Sequence, residues 1–136
     1  MRTILSIDDE QMILDCLRDA LKIKGYRVLT TSDPHDGLRM LAERDDIDLA
    51  ILDVKMPGMD GFELYRRFRE NRKLPVLFLT AYPKSFNLKS DDVLEMWQTE
   101  FADGTTDIMY KPFDLSMLFD KVEGLIGPAT GAGDES

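Results

Sequence analysis

The stretch Leu49–Glu63, LAILDVKMPGMDGFE, decides the fold. Leu49–Leu52 is an unbroken apolar run, the pattern of a strand buried on both faces. Such strands belong to parallel sheets covered by helices on either side. Asp53 ends the run, where a carboxylate needs a partner. The turn-forming Met56-Pro57-Gly58-Met59 follows, and Asp60-x-x-Glu63 reads as a capping box that opens a helix, with Tyr65 and Phe68 toward the core.

The same alternation extends outward. Thr3–Ile7, Tyr26–Thr31, Pro75–Leu79 and Asp107–Met109 read as further short strands. Between the first two, Ile13, Cys16, Leu17, Ala20 and Leu21 recur at helical spacing, and Gly25 suits a left-handed cap. Asp33-Pro34 pairs an N-cap residue with proline at the first helical position, ahead of Leu38, Leu41 and Ala42. Val93, Trp97 and Phe101 predict a helix over 90–101. Asp114 caps a last helix carrying Leu115, Leu118, Phe119, Val122 and Ile126, which Gly127-Pro128 stops. Five strands alternating with five helices predict a doubly wound α/β domain with right-handed crossovers.

Bulk properties narrow the function. The 136 residues fit one domain, read as 1–127, with 128–136 as a disordered tail or the start of a linker. With 17 Lys and Arg against 26 Asp and Glu, the net charge of -9 opposes direct binding to nucleic acid or anionic lipid. No apolar run approaches the roughly 20 residues of a membrane span, and Arg2 leads into a strand and acids, not a signal peptide. A cytoplasmic location is the expectation. Cys16 is the single cysteine, expected as a buried core thiol.

The polar residues that interrupt the apolar runs all follow strands. Asp8 and Asp9 follow the first, Asp53 the third, Thr80 the fourth and Lys111 the fifth. In an open parallel sheet the carboxyl ends of the strands form the ligand-binding edge. Three carboxylates gathered there repel one another unless a cation joins them, and a hard divalent ion suits an all-oxygen set. Metal, ammonium and hydroxyl around one carboxylate would stabilise a phosphoryl group, with Asp53 as nucleophile. Asp8 and Asp9 taken alone could equally cap the first helix.

At these residues the sequence resembles the receiver domains of response regulators in two-component signalling. The resemblance rests on Ile7-Asp8-Asp9-Glu10, Leu52–Gly61, Leu79-Thr80-Ala81 and Lys111-Pro112-Phe113, spread over nearly the whole chain. It implies a flavodoxin-like sheet of order 2-1-3-4-5 with helices on two faces. It implies Asp53 as phosphoacceptor, and Mg2+ or Mn2+ held by Asp9, Asp53, the Lys55 backbone carbonyl and, mainly through water, Asp8. Thr80 and Lys111 would hold phosphoryl oxygens, and the Lys111-Pro112 bond is usually cis in similar domains. The implied partners are a histidine kinase or histidine phosphotransfer protein and a downstream target or output domain, with homodimerisation on phosphorylation a further option. Such a domain catalyses its own phosphorylation and slow dephosphorylation without turning over a separate substrate. An output domain does not fit within 136 residues, so the chain reads as a stand-alone receiver or a piece of a longer regulator.

Departures from the family pattern carry information. The position three before the lysine, usually a switching aromatic ring, is Ile108; Tyr110 lies two residues later on the same side of the strand. The segment from Thr80 to Lys111 is longer than usual by about two helical turns, placed near 83–96. A tolerated insertion and a specialised output surface both fit. Lys55 and Tyr82, each two residues after a site residue, could obstruct in-line water and prolong the phosphoryl group's life.

Competing readings fare less well. Aspartyl phosphohydrolases with a similar sheet need a second acid where this chain has Lys55. A flavin domain needs a hydroxyl-rich loop where it has Asp8-Asp9-Glu10, and no G-x-x-x-x-G-K-[ST] loop is present. An unphosphorylated receiver-like scaffold is the remaining alternative. His35, beside Asp33-Pro34, reads as exposed, and Arg66, Arg67 and Arg69 with Glu63 and Glu70 as a solvated helix face.

Overall fold

A computed structural model of the chain describes residues 2–56, 58–70, 72–80 and 105–129. Strands β1 (Thr3–Ile7), β2 (Arg27–Thr31), β3 (Leu49–Asp53), β4 (Val76–Thr80) and β5 (Thr106–Tyr110) form one sheet in the order β2-β1-β3-β4-β5. Every pairing is parallel. The described helices are α1 (Gln11–Ile23), α2 (Pro34–Glu43), α3 (Gly61–Arg69) and α4 (Leu115–Ile126). The expected helix over 90–101 and the long segment near 83–96 lie outside the described residues.

Alternation along the buried strands builds two cores. Leu5, Ile7, Ala50, Leu52, Val76 and Phe78 pack with Leu41, Phe62, Tyr65 and Phe68 from α2 and α3. Ile4, Leu49, Ile51, Leu77, Leu79 and Met109 pack with Leu17, Leu21, Leu118 and Val122 from α1 and α4. Side chains alternate across a strand, so a sheet covered on both sides needs apolar residues at every position. β1, β3 and β4 are buried at every position and apolar at all but Thr3, Ser6, Asp53 and Thr80.

Helix starts follow the expected chemistry. Asp33 accepts from the His35 amide at 3.0 Å with Pro34 beside it, Asp60 accepts from the Glu63 amide at 2.8 Å, and Asp114 accepts from the Met117 amide at 2.8 Å. Each satisfies an N–H the helix itself cannot. α1 differs, because its N-cap is Glu10 and no side chain caps it. The capping role open to Asp8 and Asp9 is therefore not the one they take.

Three expectations need correction. Cys16 is exposed, not buried, because the core face of α1 runs through Leu14, Leu17, Ala20 and Leu21. Cys16 sits two residues past Leu14, about 200° around the helix. Leu115 is likewise exposed on α4, whose buried stripe is Leu118 and Val122. β2 begins at Arg27, one residue late, because the Tyr26 amide donates to Leu21 O at 3.1 Å and the Gly25 amide to Lys22 O at 2.9 Å. This Schellman closure uses Gly25 at φ +95° and consumes the N–H that Tyr26 would lend the sheet.

The chain stays attached past residue 127. Tyr26 Oη donates to Gly127 O at 2.8 Å, Arg2 Nε to Pro128 O at 3.1 Å and the Arg2 amide to Ala129 O at 3.1 Å. Ala129 is buried. Among the described residues, no helix is long and apolar enough to cross a membrane.

α3 starts directly against the end of β3, and a glycine makes this possible. The Gly61 amide donates to Val54 O at 2.9 Å, and a Cβ here would collide with the Asp53 carbonyl oxygen and stand 3.1 Å from Val54 Cα. Both obstacles are backbone. We expect Gly61→Ala to cost about 1–3 kcal/mol, the range of overpacking. Gly124→Ala, with nothing within 4 Å of its Cβ, should instead stabilise α4 by about 0.4–1 kcal/mol. Urea unfolding of both variants checks the pair of signs.

Candidate functional site

Parallel strands end on one edge of a sheet, so residues that follow them in sequence meet there in space. Asp8, Asp53 and Thr80 are all buried at that edge. Lys111 follows β5, and its amide donates to the Thr80 carbonyl at 2.7 Å, which continues the β4–β5 pairing to the rim. The Lys111-Pro112 bond is cis.

The Lys111 ammonium is the centre of the cluster. Its Nζ lies 3.0 Å from Asp8 Oδ2, 3.1 Å from Glu10 Oε1 and 3.6 Å from Asp53 Oδ1. Asp8 also accepts from the Glu10 amide at 2.9 Å through Oδ1. The Lys55 amide donates to Asp53 Oδ1 at 3.3 Å, which ties the β3–α3 loop to the same carboxylate. Asp9 is exposed at the mouth. Asp8, Asp9, Glu10 and Asp53 each offer a carboxylate oxygen, all within 4.8 Å of one another.

The sequence-derived residues Asp8, Asp9, Asp53, Thr80 and Lys111 thus come to one rim, with the Lys55 backbone beside Asp53. Glu10 is the residue to which sequence reasoning assigned no role. A signal was available: Glu10 directly follows the acidic pair at a helix start, where Ser, Thr, Asp or Asn would cap better. Ile108 packs partly buried against the core on the α2–α3 side, while Tyr110 stands 41% exposed. Tyr82 and Trp97 lie outside the described residues. His35 is exposed, and Arg67 pairs with Glu63 at 3.1 Å on the solvent side of α3.

The electrostatics follow from burial and crowding. Burial, and then the charge of Asp8, push the Asp53 carboxyl up to about 8, against the pull of Lys111. Asp8 is also raised, because burial outweighs the Glu10 amide and the Lys111 ammonium that favour its anion. Burial pulls the Lys111 ammonium down, but Asp8, Asp53 and Glu10 more than compensate and hold it above its ordinary value. Lys111 therefore stays charged, and the rim carries more carboxylate than one ammonium can balance. A hard cation that takes oxygen ligands fits that donor set.

Comparison with known proteins bears on this geometry. The family model of the response regulator receiver domain matches residues 4–123. The transcriptional regulatory protein AfsQ1 of Streptomyces coelicolor is 34% identical over 126 residues, 93% of this chain and 52% of that protein. The alkaline phosphatase synthesis transcriptional regulatory protein PhoP of Bacillus subtilis is also 34% identical, over 92% of this chain and 48% of its own length. The chain spans about half the length of these curated relatives. Among solved structures, a receiver domain protein from Clostridium thermocellum superposes with a TM-score of 0.75 at 30% identity, covering 93% of this chain and 94% of that one. The response regulator TrrA from Thermotoga maritima, in complex with Mg2+ and BeF, gives 0.75 at 31% identity over 92% and 99%.

A raised carboxyl makes stability depend on pH with a definite sign. Between about 4 and about 8 the unfolded Asp53 has lost its proton while the folded one keeps it, so stability falls as pH rises. Asp53→Asn removes this contribution. In chelator, the thermal midpoint of the Asn variant should exceed that of the parent by a gap that widens from pH 5 to pH 8 and then levels off. Differential scanning calorimetry across that range reads the gap directly.

Proposed function

The chain belongs to the response regulator receiver family, and on that footing we propose that it is a phosphoacceptor switch modified on Asp53. The observation that carries this reading is a largely buried ammonium, that of Lys111, 9% exposed at its side chain and held between Asp8 and Asp53 at the carboxyl edge of the sheet. The reading extends to a histidine kinase or histidine phosphotransfer protein as donor, and to a protein target or output domain as recipient of the signal. That TrrA has been solved with Mg2+ and BeF supports Mg2+ as the ion here.

The chemistry follows from the charges. An Asp53 carboxylate oxygen attacks phosphorus and forms a new P–O bond. The donor's bond to phosphorus breaks, and its electron pair leaves with the donor group. Negative charge on the transferring phosphoryl oxygens needs preorganised positive partners, which exert most of the catalytic effect in such a site. Lys111 brings a full charge and Thr80 a hydroxyl at the end of the neighbouring strand. Asp9, Asp53 and the Lys55 carbonyl would hold Mg2+, with Asp8 acting mainly through water. When bound, the ion neutralises the carboxylates and the phosphoryl oxygens together. It would also hold Asp53 as the anion, which the crowded rim otherwise disfavours.

Self-dephosphorylation needs water in line with the Asp53–phosphorus bond. Lys55 is exposed on the loop after β3, where its long side chain can shield that approach. The expectation of a slow-decaying acyl phosphate rests on Lys55 and Tyr82 together.

Treatment with acetyl phosphate and Mg2+ should add one phosphoryl group, which peptide mass spectrometry should place on Asp53. Asp53→Asn should abolish the modification. Lys111→Ala should slow it by about 10²–10³, the cost of removing one preorganised charge partner. A parent chain that stays unmodified would overturn the reading. Decay of the acyl phosphate should be faster in Lys55→Asn with Tyr82→Glu than in the parent; equal or slower decay in the double variant would reject the shielding idea.

A further inference from the structure

We propose that Glu10 is a positioning residue that tethers Lys111 while Asp53 is unmodified and yields it to an arriving phosphoryl oxygen. The inference rests on the reading of Asp53 as phosphoacceptor. An ammonium has three N–H donors. Around Lys111 Nζ stand three carboxylate oxygens, from Asp8 at 3.0 Å, Glu10 at 3.1 Å and Asp53 at 3.6 Å. Two donors are bonded, to Asp8 and Glu10, and the third faces Asp53 beyond hydrogen-bonding distance, so the ammonium turns fully to a phosphoryl oxygen only by releasing one of the two.

The exposures decide which one. The Asp8 side chain is 0% exposed, and freeing it from Lys111 would leave a buried charge without its cation. The Glu10 side chain is 59% exposed, so water takes over its charge when the contact opens. Its backbone stays in place meanwhile, because the Glu10 amide donates to Asp8 Oδ1 at 2.9 Å. Nor does the side chain leave a cap behind, since α1 has no side-chain cap at Glu10. Glu10 is thus fixed at its main chain, solvent-exposed at its carboxylate and bound to a lysine 101 residues away.

Two consequences follow for an anionic donor. The tether keeps Lys111 occupied until a phosphoryl oxygen competes for it, and the Glu10 carboxylate repels that oxygen as it approaches. Glu10 therefore weakens the hold of the unmodified site on small phosphodonors. Its influence falls on donor binding more than on the bond-exchange step, because the contact has opened before phosphorus moves.

The test compares the parent chain with Glu10→Gln and Glu10→Asp at saturating Mg2+. Initial rates of Asp53 modification are measured against acetyl phosphate concentration. The half-saturating concentration should fall several-fold in both variants, with a smaller change in the rate at saturation. Gln removes the charge, while Asp keeps it but is one methylene too short to hold Lys111 from the same backbone. A beryllofluoride titration should show tighter binding in the same two variants. Improvement in Gln but not in Asp would overturn the tether in favour of bulk charge. Unchanged or weaker donor binding in both would overturn it outright. A parent that takes no phosphoryl group would overturn the phosphoacceptor reading, and the tether with it. A parent that is modified on Asp53 while both variants match it overturns the tether alone.

Discussion

Everything at the carboxyl edge of this sheet depends on how one largely buried ammonium, that of Lys111, is shared among carboxylates. Lys111 is 9% exposed at its side chain, Asp8 is not exposed at all and Asp53 only 5%. Charges withdrawn from water to that degree persist only when paired. Each partner comes from the end of a different strand, so the pairing also requires that β1, β3 and β5 finish in register. The two cores exist on this view to hold that register: they fix strands whose last residues bear the charge.

Much of this arrangement is legible in the sequence because it is local. The unbroken apolar run at Leu49–Leu52 states that β3 is covered on both faces. Asp33, Asp60 and Asp114 announce helix starts because the bond each makes spans only two or three residues. The gathering of Asp8, Asp53, Thr80 and Lys111 is legible for a topological reason: parallel strands leave their successors on one edge. Nothing in that inference needs a distance.

What escaped the sequence was phase and reach. Cys16 falls in an apolar stretch, but one step of 100° separates it from Leu17 and the core. The start of β2 is shifted by a closure in which the Tyr26 amide turns back to Leu21, a competition that no propensity reveals. Glu10 is the clearest case. Its contact joins positions 101 residues apart, and only the folded chain shows that its carboxylate goes to Lys111 instead of to its own helix. Ile108 packs partly into the core while Tyr110 is 41% exposed, so the two β5 positions have different surroundings in the same strand.

The crowded rim sets the charge state of Asp53, and a carbon-detected NMR titration of its side-chain carboxyl measures that most directly. In chelator the carboxyl should titrate near 8, and addition of Mg2+ should return it to the ordinary carboxylate range or below. A carboxyl that titrates at its ordinary value in chelator and ignores Mg2+ would contradict the crowded, cation-seeking rim described above.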